Sequence, residues 1–312
     1  MVIEMILTIT PNPTIDRVYF VDEFQMGEVH RPNSFTCTAG GKGLNVSRVA
    51  HLMGHKTLVM GFLGGFNGEF IKSEITKQGI QNNFTQIGGE TRICVNISDK
   101  NGLSGEILEA GPFVSEEEKK AFLLAYEKEI ASADIICAAG SLPRGLDSSF
   151  YLELISVAKA HGKKIIADAS GKTLDDVIKA KPFMVKPNRY ELSLLMDKEI
   201  SSIEDVKEAL LFLQKSGVEL PLATLGKDGA LAYVDGKFYK FTSPEVDVIN
   251  TVGSGDSSVA GIAVGLSRGM SIVDSIKLGM AAGTANTQSP ETGFVTKELV
   301  EKYYKEIIVD II

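Results

Sequence analysis

The run Asn250-Thr251-Val252-Gly253-Ser254-Gly255-Asp256 leads into Ser257-Ser258, after which Val259, Ile262, Ala263 and Leu266 recur at the i, i+3, i+4, i+7 spacing of one apolar helix face. Gly253 and Gly255 let the main chain come close to a ligand, and the free N–H groups and dipole of a helix start favour an anion there. Asp256 is out of keeping with such a site. A carboxylate beside a phosphate is repulsive unless it has chemical work, and taking a proton from an attacking hydroxyl is such work. The spacing alone is served equally by a flexible turn ahead of a helix with an acidic first turn, which the dipole also favours.

A second glycine-rich stretch, Ala39-Gly40-Gly41-Lys42-Gly43-Leu44-Asn45-Val46, precedes a helical pattern through Val49, Ala50 and Met53 that stops near Gly54. Glycines for close approach, then Lys42 and Asn45, suit a sugar phosphate; a glycine-rich turn with an exposed lysine is the plain alternative. Asp16 lies beyond the buried strand Ile6-Leu7-Thr8-Ile9, where it is either a turn residue or a ligand residue at a strand's carboxyl end. Arg92 stands at the base of a half-buried strand in which Ile93, Val95 and Ile97 alternate with Cys94, Asn96 and Ser98. Its guanidinium matches phosphate oxygens in bidentate fashion, although a solvated strand arginine has the same signature. Asn188 and Glu191, three apart at a helix start, share a face and could hold a metal through water, or simply cap the helix.

These residues need elements to position them. Buried runs at Ile135-Ile136-Cys137-Ala138-Ala139, Lys164-Ile165-Ile166-Ala167-Asp168, Phe183-Met184-Val185 and Leu222-Ala223-Thr224-Leu225 alternate with helical patterns. That alternation predicts an α/β fold with a doubly wound, mainly parallel sheet covered on both faces, its ligand loops gathered at the strand carboxyl ends. Those loops carry Gly140-Ser141-Leu142-Pro143-Arg144-Gly145, Lys186-Pro187-Asn188-Arg189-Tyr190-Glu191 and Gly226-Lys227-Asp228-Gly229. Asp235-Gly236 reads as a hairpin turn, and so does Asp99-Lys100-Asn101-Gly102. The latter joins strands that, with the extended segment after Asp16, form a small β layer outside the main sheet.

Composition bounds the function. With 312 residues and 44% hydrophobic content the chain can bury a sizeable core, and a formal net charge of −8 argues against a nucleic-acid surface. Any anionic ligand must then be met by locally placed Lys, Arg and N–H groups. Cys37, Cys94 and Cys137 lack paired spacing, which predicts reduced thiols and a cytoplasmic setting. No signal-peptide pattern or membrane-length run is present.

The two glycine-rich stretches together resemble the paired signatures of the ribokinase-like, or PfkB, carbohydrate kinase family. The likeness runs from Thr8-Ile9-Thr10-Pro11-Asn12-Pro13-Thr14-Ile15-Asp16 to Thr292-Gly293, and its nearest branch holds the 1-phosphofructokinases and tagatose-6-phosphate kinases. Two positions depart from the commoner pattern: Asn250 stands where many members have Asp, which bears on monovalent-cation dependence, and Ser254 where many have Ala. The resemblance implies a single ribokinase-like domain over 1–312, with lid segments at about 14–38 and 88–110 covering the sugar site and commonly serving as a homodimer contact. It implies ATP-dependent transfer of a phosphoryl group to a ketohexose phosphate, giving a 1,6-bisphosphate. Asp256 would be the base, with Gly253, Ser254 and Gly255 holding the developing charge. Asp16 would bind sugar hydroxyls, with Gly40, Gly41, Lys42, Asn45, Arg92 and Arg144 around the acceptor and its phosphate. Lys186, Asn188, Thr224, Gly226, Gly229 and Asn286 would meet the nucleotide together with Gly253 and Gly255. Asn188 and Glu191 match the family's Asn-x-x-Glu motif for Mg²⁺.

Residues 24–31 and 64–70 look more like 1-phosphofructokinases, so fructose 1-phosphate is the first expectation. Residues 106–112 and 253–257 are equally at home among tagatose-6-phosphate kinases, so tagatose 6-phosphate or fructose 6-phosphate stands close behind. A non-catalytic sugar-phosphate regulator would use the same pocket, but Asp256 would weaken phosphate binding in it. Ser170-Gly171-Lys172-Thr173 is not a P-loop, because Ile166 stands where the motif needs Gly, and Ser258 replaces the third glycine of a dinucleotide fingerprint. His51 and His55 offer no third metal ligand nearby.

Overall fold

The computed structural model describes residues 5–312. β1 (Met5–Thr10) is buried along its whole length, Thr8 and Thr10 included, as a strand in a sheet covered on both faces must be. Beyond Pro11 and Pro13, β2 (Thr14–Phe20) and β3 (Ser34–Gly40) leave the main body as an antiparallel pair. α1 (Lys42–Leu52) returns to it and is followed by β4 (Lys56–Leu63), α2 (Gly65–Lys77) and β5 (Gln81–Gln86). β6 (Arg92–Asp99) and β7 (Gly102–Leu108) go out again and complete a four-stranded sheet of order β3-β2-β6-β7.

Alternation then sets in with α3 (Glu116–Glu129), β8 (Ile135–Ala139), α4 (Ser149–Ala160), β9 (Lys164–Asp168), α5 (Lys172–Lys179) and β10 (Met184–Val185). α6 (Arg189–Met196), α7 (Ile203–Lys215) and β11 (Leu220–Thr224) continue it. The hairpin β12 (Ala230–Val234) and β13 (Lys237–Thr242) turns at Asp235-Gly236, both with positive φ. α8 (Ser254–Ser267), α9 (Ile272–Asn286), α10 (Lys297–Glu306) and β14 (Ile308–Ile311) close the chain.

The large sheet has the order β14-β13-β12-β11-β10-β9-β8-β1-β4-β5 and is parallel from β5 to β11. β12, β13 and β14 add an antiparallel edge. One apolar cluster, with Phe62, Phe122, Tyr126, Phe150 and Leu210, fills the face under α3, α4 and α7; a second, with Val49, Ile262, Ala281 and Val300, fills the face under α1, α8, α9 and α10. α8 and α9 approach closely because glycines line their contact: a Cβ on Gly261 would meet Gly279 Cα at 2.7 Å.

The mainly parallel α/β sheet with a smaller sheet agrees with the sequence expectation. β3, β4, β5 and β14 were not anticipated from the pattern. β5, Gln81-Asn82-Asn83-Phe84-Thr85-Gln86, is a polar edge strand without alternation, and β14 exists through its antiparallel pairing to β13. β1 takes β4 on one side and β8 on the other, so the strand order reverses there, and the crevice beyond their carboxyl ends is where such sheets bind ligands.

Candidate active site

Two helix starts and a strand end converge on that crevice. Gly253 adopts φ 81° ahead of α8, and a Cβ there would sit 2.9 Å from Gly293 N, so glycine is required by both conformation and space. The first α-helical bond runs from Ser257 N–H to Gly253 O at 2.8 Å, leaving the N–H groups of Gly255 and Asp256 ahead of the helical ladder. Ser254 N–H instead donates to Thr251 O at 3.2 Å, so the donors offered to an anion are shifted one residue from the expected Gly253-Ser254-Gly255 set.

Asp256 is buried and accepts a 2.8 Å hydrogen bond from Asn45 Nδ2 of α1. Burial and the negative charge of Asp168 push its pKa up to about 6, while the Asn45 bond, Lys42 and Lys186 hold it back. Asp168, the last residue of β9, takes the opposite course. Burial would raise it, but Lys42 and Lys186 outweigh that and hold it below the usual carboxylate range. Lys42 Nζ lies 3.1 Å from Asp168 Oδ1, and this pairing raises the lysine against the opposing effect of burial. The Lys42 side chain keeps 39% of its exposure against 8% for Asp168, so the ammonium faces the crevice. Lys186 is buried, and a Cβ on Gly255 would come within 3.4 Å of its Nζ, which sets that cation over the start of α8.

Asp16 projects from β2 against Gly40, where any Cβ would collide with its carboxylate. Burial pushes its pKa up to about 6, with Arg92 and Arg48 opposing and Glu106 adding to the rise. Gly41 caps α1 with φ 119° and brings Lys42 to the first helical position. Arg92 donates from Nε and Nη2 to Asn12 O at 3.2 and 2.9 Å and from Nη1 to Glu109 O at 2.9 Å, stapling the base of the small sheet beside Asp16. Arg144 is exposed and donates to Gly111 O at 2.9 Å.

Asn188 and Glu191 form a capping box on α6: Asn188 Oδ1 accepts from Glu191 N–H and Glu191 Oε2 from Asn188 N–H, each at 2.9 Å. Thr224 ends β11 beside them, its N–H on Pro187 O at 3.1 Å. Gly226 and Gly229 bracket the short 3-10 turn Gly226–Asp228, which Arg189 ties to α6 through Asp228 Oδ2 at 3.1 Å.

Asn286, which the resemblance sets at the nucleotide and which helix packing would equally explain, ends α9. It is fully buried, and its amide donates to Val252 O and Ser254 Oγ while accepting from Ser257 Oγ, Gly293 N–H and Phe294 N–H. It is the knot that shapes the loop before α8. Two residues that the sequence left unassigned belong to the site. Asp168 closes a buried strand at its carboxyl end, which was the available signal; Arg48, one turn beyond Asn45, had none.

Residues 10–298 match the model of the pfkB family of carbohydrate kinases. A tagatose-6-phosphate kinase of Staphylococcus epidermidis is 38% identical over 308 residues, 98% of this chain and 99% of that protein. Phosphofructokinase-2 from Escherichia coli, solved with potassium, has a TM-score of 0.92 at 26% identity, covering 97% of this chain and 99% of its own. The same enzyme with fructose-6-phosphate gives 0.90 at 25% over equal shares.

Proposed function

The chain belongs to the pfkB family of carbohydrate kinases and is an ATP-dependent sugar-phosphate kinase, and we propose that its acceptor is a ketohexose phosphate, converted to the 1,6-bisphosphate. The observation that carries this reading is Asp256: a buried carboxylate with its pKa pushed up to about 6, at a helix start, between Lys42 and Lys186. It takes the proton of the sugar hydroxyl as the oxygen attacks the γ-phosphorus; the bond to the bridging oxygen breaks and ADP leaves. The N–H groups at the start of α8 and the ammonium of Lys186 meet the charge on the transferring group.

The sequence reading gave Lys42 to the acceptor's own phosphate. Its pairing with Asp168 and its interaction with the charges of Asp256 and Glu191 support a role on the phosphoryl group in transfer instead. Arg92 and Asp16 then remain for the acceptor. The residues fit the Mg²⁺ ion that accompanies a triphosphate: Glu191 uses Oε2 in the capping box, which leaves Oε1, and Asp168 is a second, ionised carboxylate, so the two would hold the ion, which would neutralise charge on the triphosphate. No helix among the described residues is long and apolar enough to cross a membrane, and the free thiols Cys37, Cys94 and Cys137 suit a cytoplasmic setting.

For the sugar, full-length identity to a tagatose-6-phosphate kinase outweighs the short stretches that favour fructose 1-phosphate, so tagatose 6-phosphate is ranked first. Side-by-side kcat/KM values with ATP and magnesium test the choice. A site with polar groups left unmatched by the wrong sugar discriminates by several kcal/mol, so one substrate should lead by about tenfold or more. Fructose 6-phosphate is assayed beside them; preference for fructose 1-phosphate or fructose 6-phosphate would reverse the ranking, and turnover of none of the three would refute the ketohexose phosphate reading.

A further inference from the structure

Arg48 lies one helical turn beyond Asn45 and is tied down on four sides. Its Nη1 donates to Asn45 Oδ1 at 2.9 Å and to Thr292 O at 3.4 Å, its Nε to Gln78 Oε1 at 3.2 Å, and its Nη2 to Ala39 O. The Asn45 amide is thereby fixed in one sense, oxygen toward the guanidinium and nitrogen toward Asp256 Oδ2 at 2.8 Å. We propose that Arg48 is a positioning residue for phosphoryl transfer: by holding the amide oxygen of Asn45 it turns the amide nitrogen onto Asp256 and keeps that base ionised. The inference rests on Asp256 being the base.

The sign follows from hydrogen-bond chemistry. An amide N–H can be accepted by the carboxylate, whereas a flipped amide would present its oxygen, which only a protonated carboxyl could satisfy. Arg48 therefore acts through the Asn45 bond, which with Lys42 and Lys186 opposes the upward push on Asp256 from burial and from Asp168. The acidic groups facing the guanidinium are Asp16, Glu291 and Asp256, and they oppose the larger effect of burial, which lowers its pKa. Asp16, pushed up to about 6 itself, is also held back by Arg48, so one cation serves both the acceptor-binding carboxylate and the base. The contacts with Ala39, at the root of the small sheet, and Thr292, beside the loop before α8, keep it between the two.

The test is the pH profile of kcat/KM in the full-length protein for wild type, Arg48→Met, Arg48→Lys and Asp256→Asn. The acceptor is tagatose 6-phosphate, or fructose 1-phosphate if the direct comparison prefers it. Loss of the guanidinium should move the acid limb upward by about one pH unit, with activity near pH 9 returning to within a few-fold of wild type. Arg48→Lys, which keeps the charge and loses the fork, should fall between. A profile lowered evenly at every pH with its limb unmoved overturns the proposal. Should Arg48→Met fail to fold, Arg48→Lys is read by the same criterion. If Asp256→Asn still turns over, the base assignment itself has failed; if it is inactive and the limb stays put, only the role of Arg48 has.

Discussion

Asp256 and Asp168 are two buried carboxylates in one crevice whose environments drive them apart, which is how a site obtains a base with an elevated pKa beside a permanently ionised neighbour. The raised pKa has a cost in folding. Between the unfolded value of 3.8 and the folded value of about 6, the native state binds more protons than the unfolded chain, so stability from this group falls as pH rises through that window. Above it the full cost remains, on the order of 2–3 kcal/mol for a shift of this size. Asp256→Asn removes the charge, retains an oxygen for Asn45, and should therefore raise stability at pH 8, measured as a higher denaturation midpoint; a lower midpoint would contradict the electrostatic account. The same pKa predicts that wild-type kcat/KM rises with pH through about 6, because only the ionised base accepts the proton. Asp256 was legible in the sequence because its chemistry is local, a carboxylate three residues after Gly253. Asp168 and Arg48 were not, since Asp168 meets Lys42 across 126 positions and Arg48 meets Thr292 across 244.

Helix starts supply the site with its donors. α1, α6 and α8 all begin at the carboxyl edge of the sheet, and each start is set by a different device: Gly41, the Asn188–Glu191 capping box, and Gly253 with Asn286. The capping box allows structure and metal to be separated. Glu191→Gln can preserve the box, so the denaturation midpoint should hold while the magnesium needed for half-maximal rate increases several-fold; an unchanged magnesium titration would remove Glu191 from the metal. Asn286→Ala should do the reverse of a lost base contact. With five hydrogen bonds gone from a buried knot, stability should drop by about 2 kcal/mol or more and kcat should fall with it. A rise in KM for ATP alone would return Asn286 to the nucleotide. The glycine spacings announced the starts of α1 and α8, but nothing local to Asn286 at the end of α9 signals that its amide closes a loop more than thirty residues earlier.

At the scale of the molecule, the small sheet presents an unusual outer face. Register places Phe35 beside Tyr19, and Cys37, Arg17, Val95 and Ile107 in one row across the four strands, with Phe35 and Ile107 exposed. The expected homodimer through the lid would bury this patch. Phe35→Asp with Ile107→Lys should shift a dimer toward monomer in analytical ultracentrifugation; a monomeric wild type would dismiss the contact. The layered core and the order of alternation were readable from apolar runs, whereas the reversal of strand order at β1, which creates the crevice, is a property of pairing and not of any local pattern. The central claim, that a carboxylate at that crevice takes the acceptor's proton, is tested most directly by steady-state turnover of Asp256→Asn at saturating ATP, magnesium and sugar phosphate. The account predicts a fall in kcat of about 10² or more with ATP affinity retained; turnover within a few-fold of wild type would contradict it.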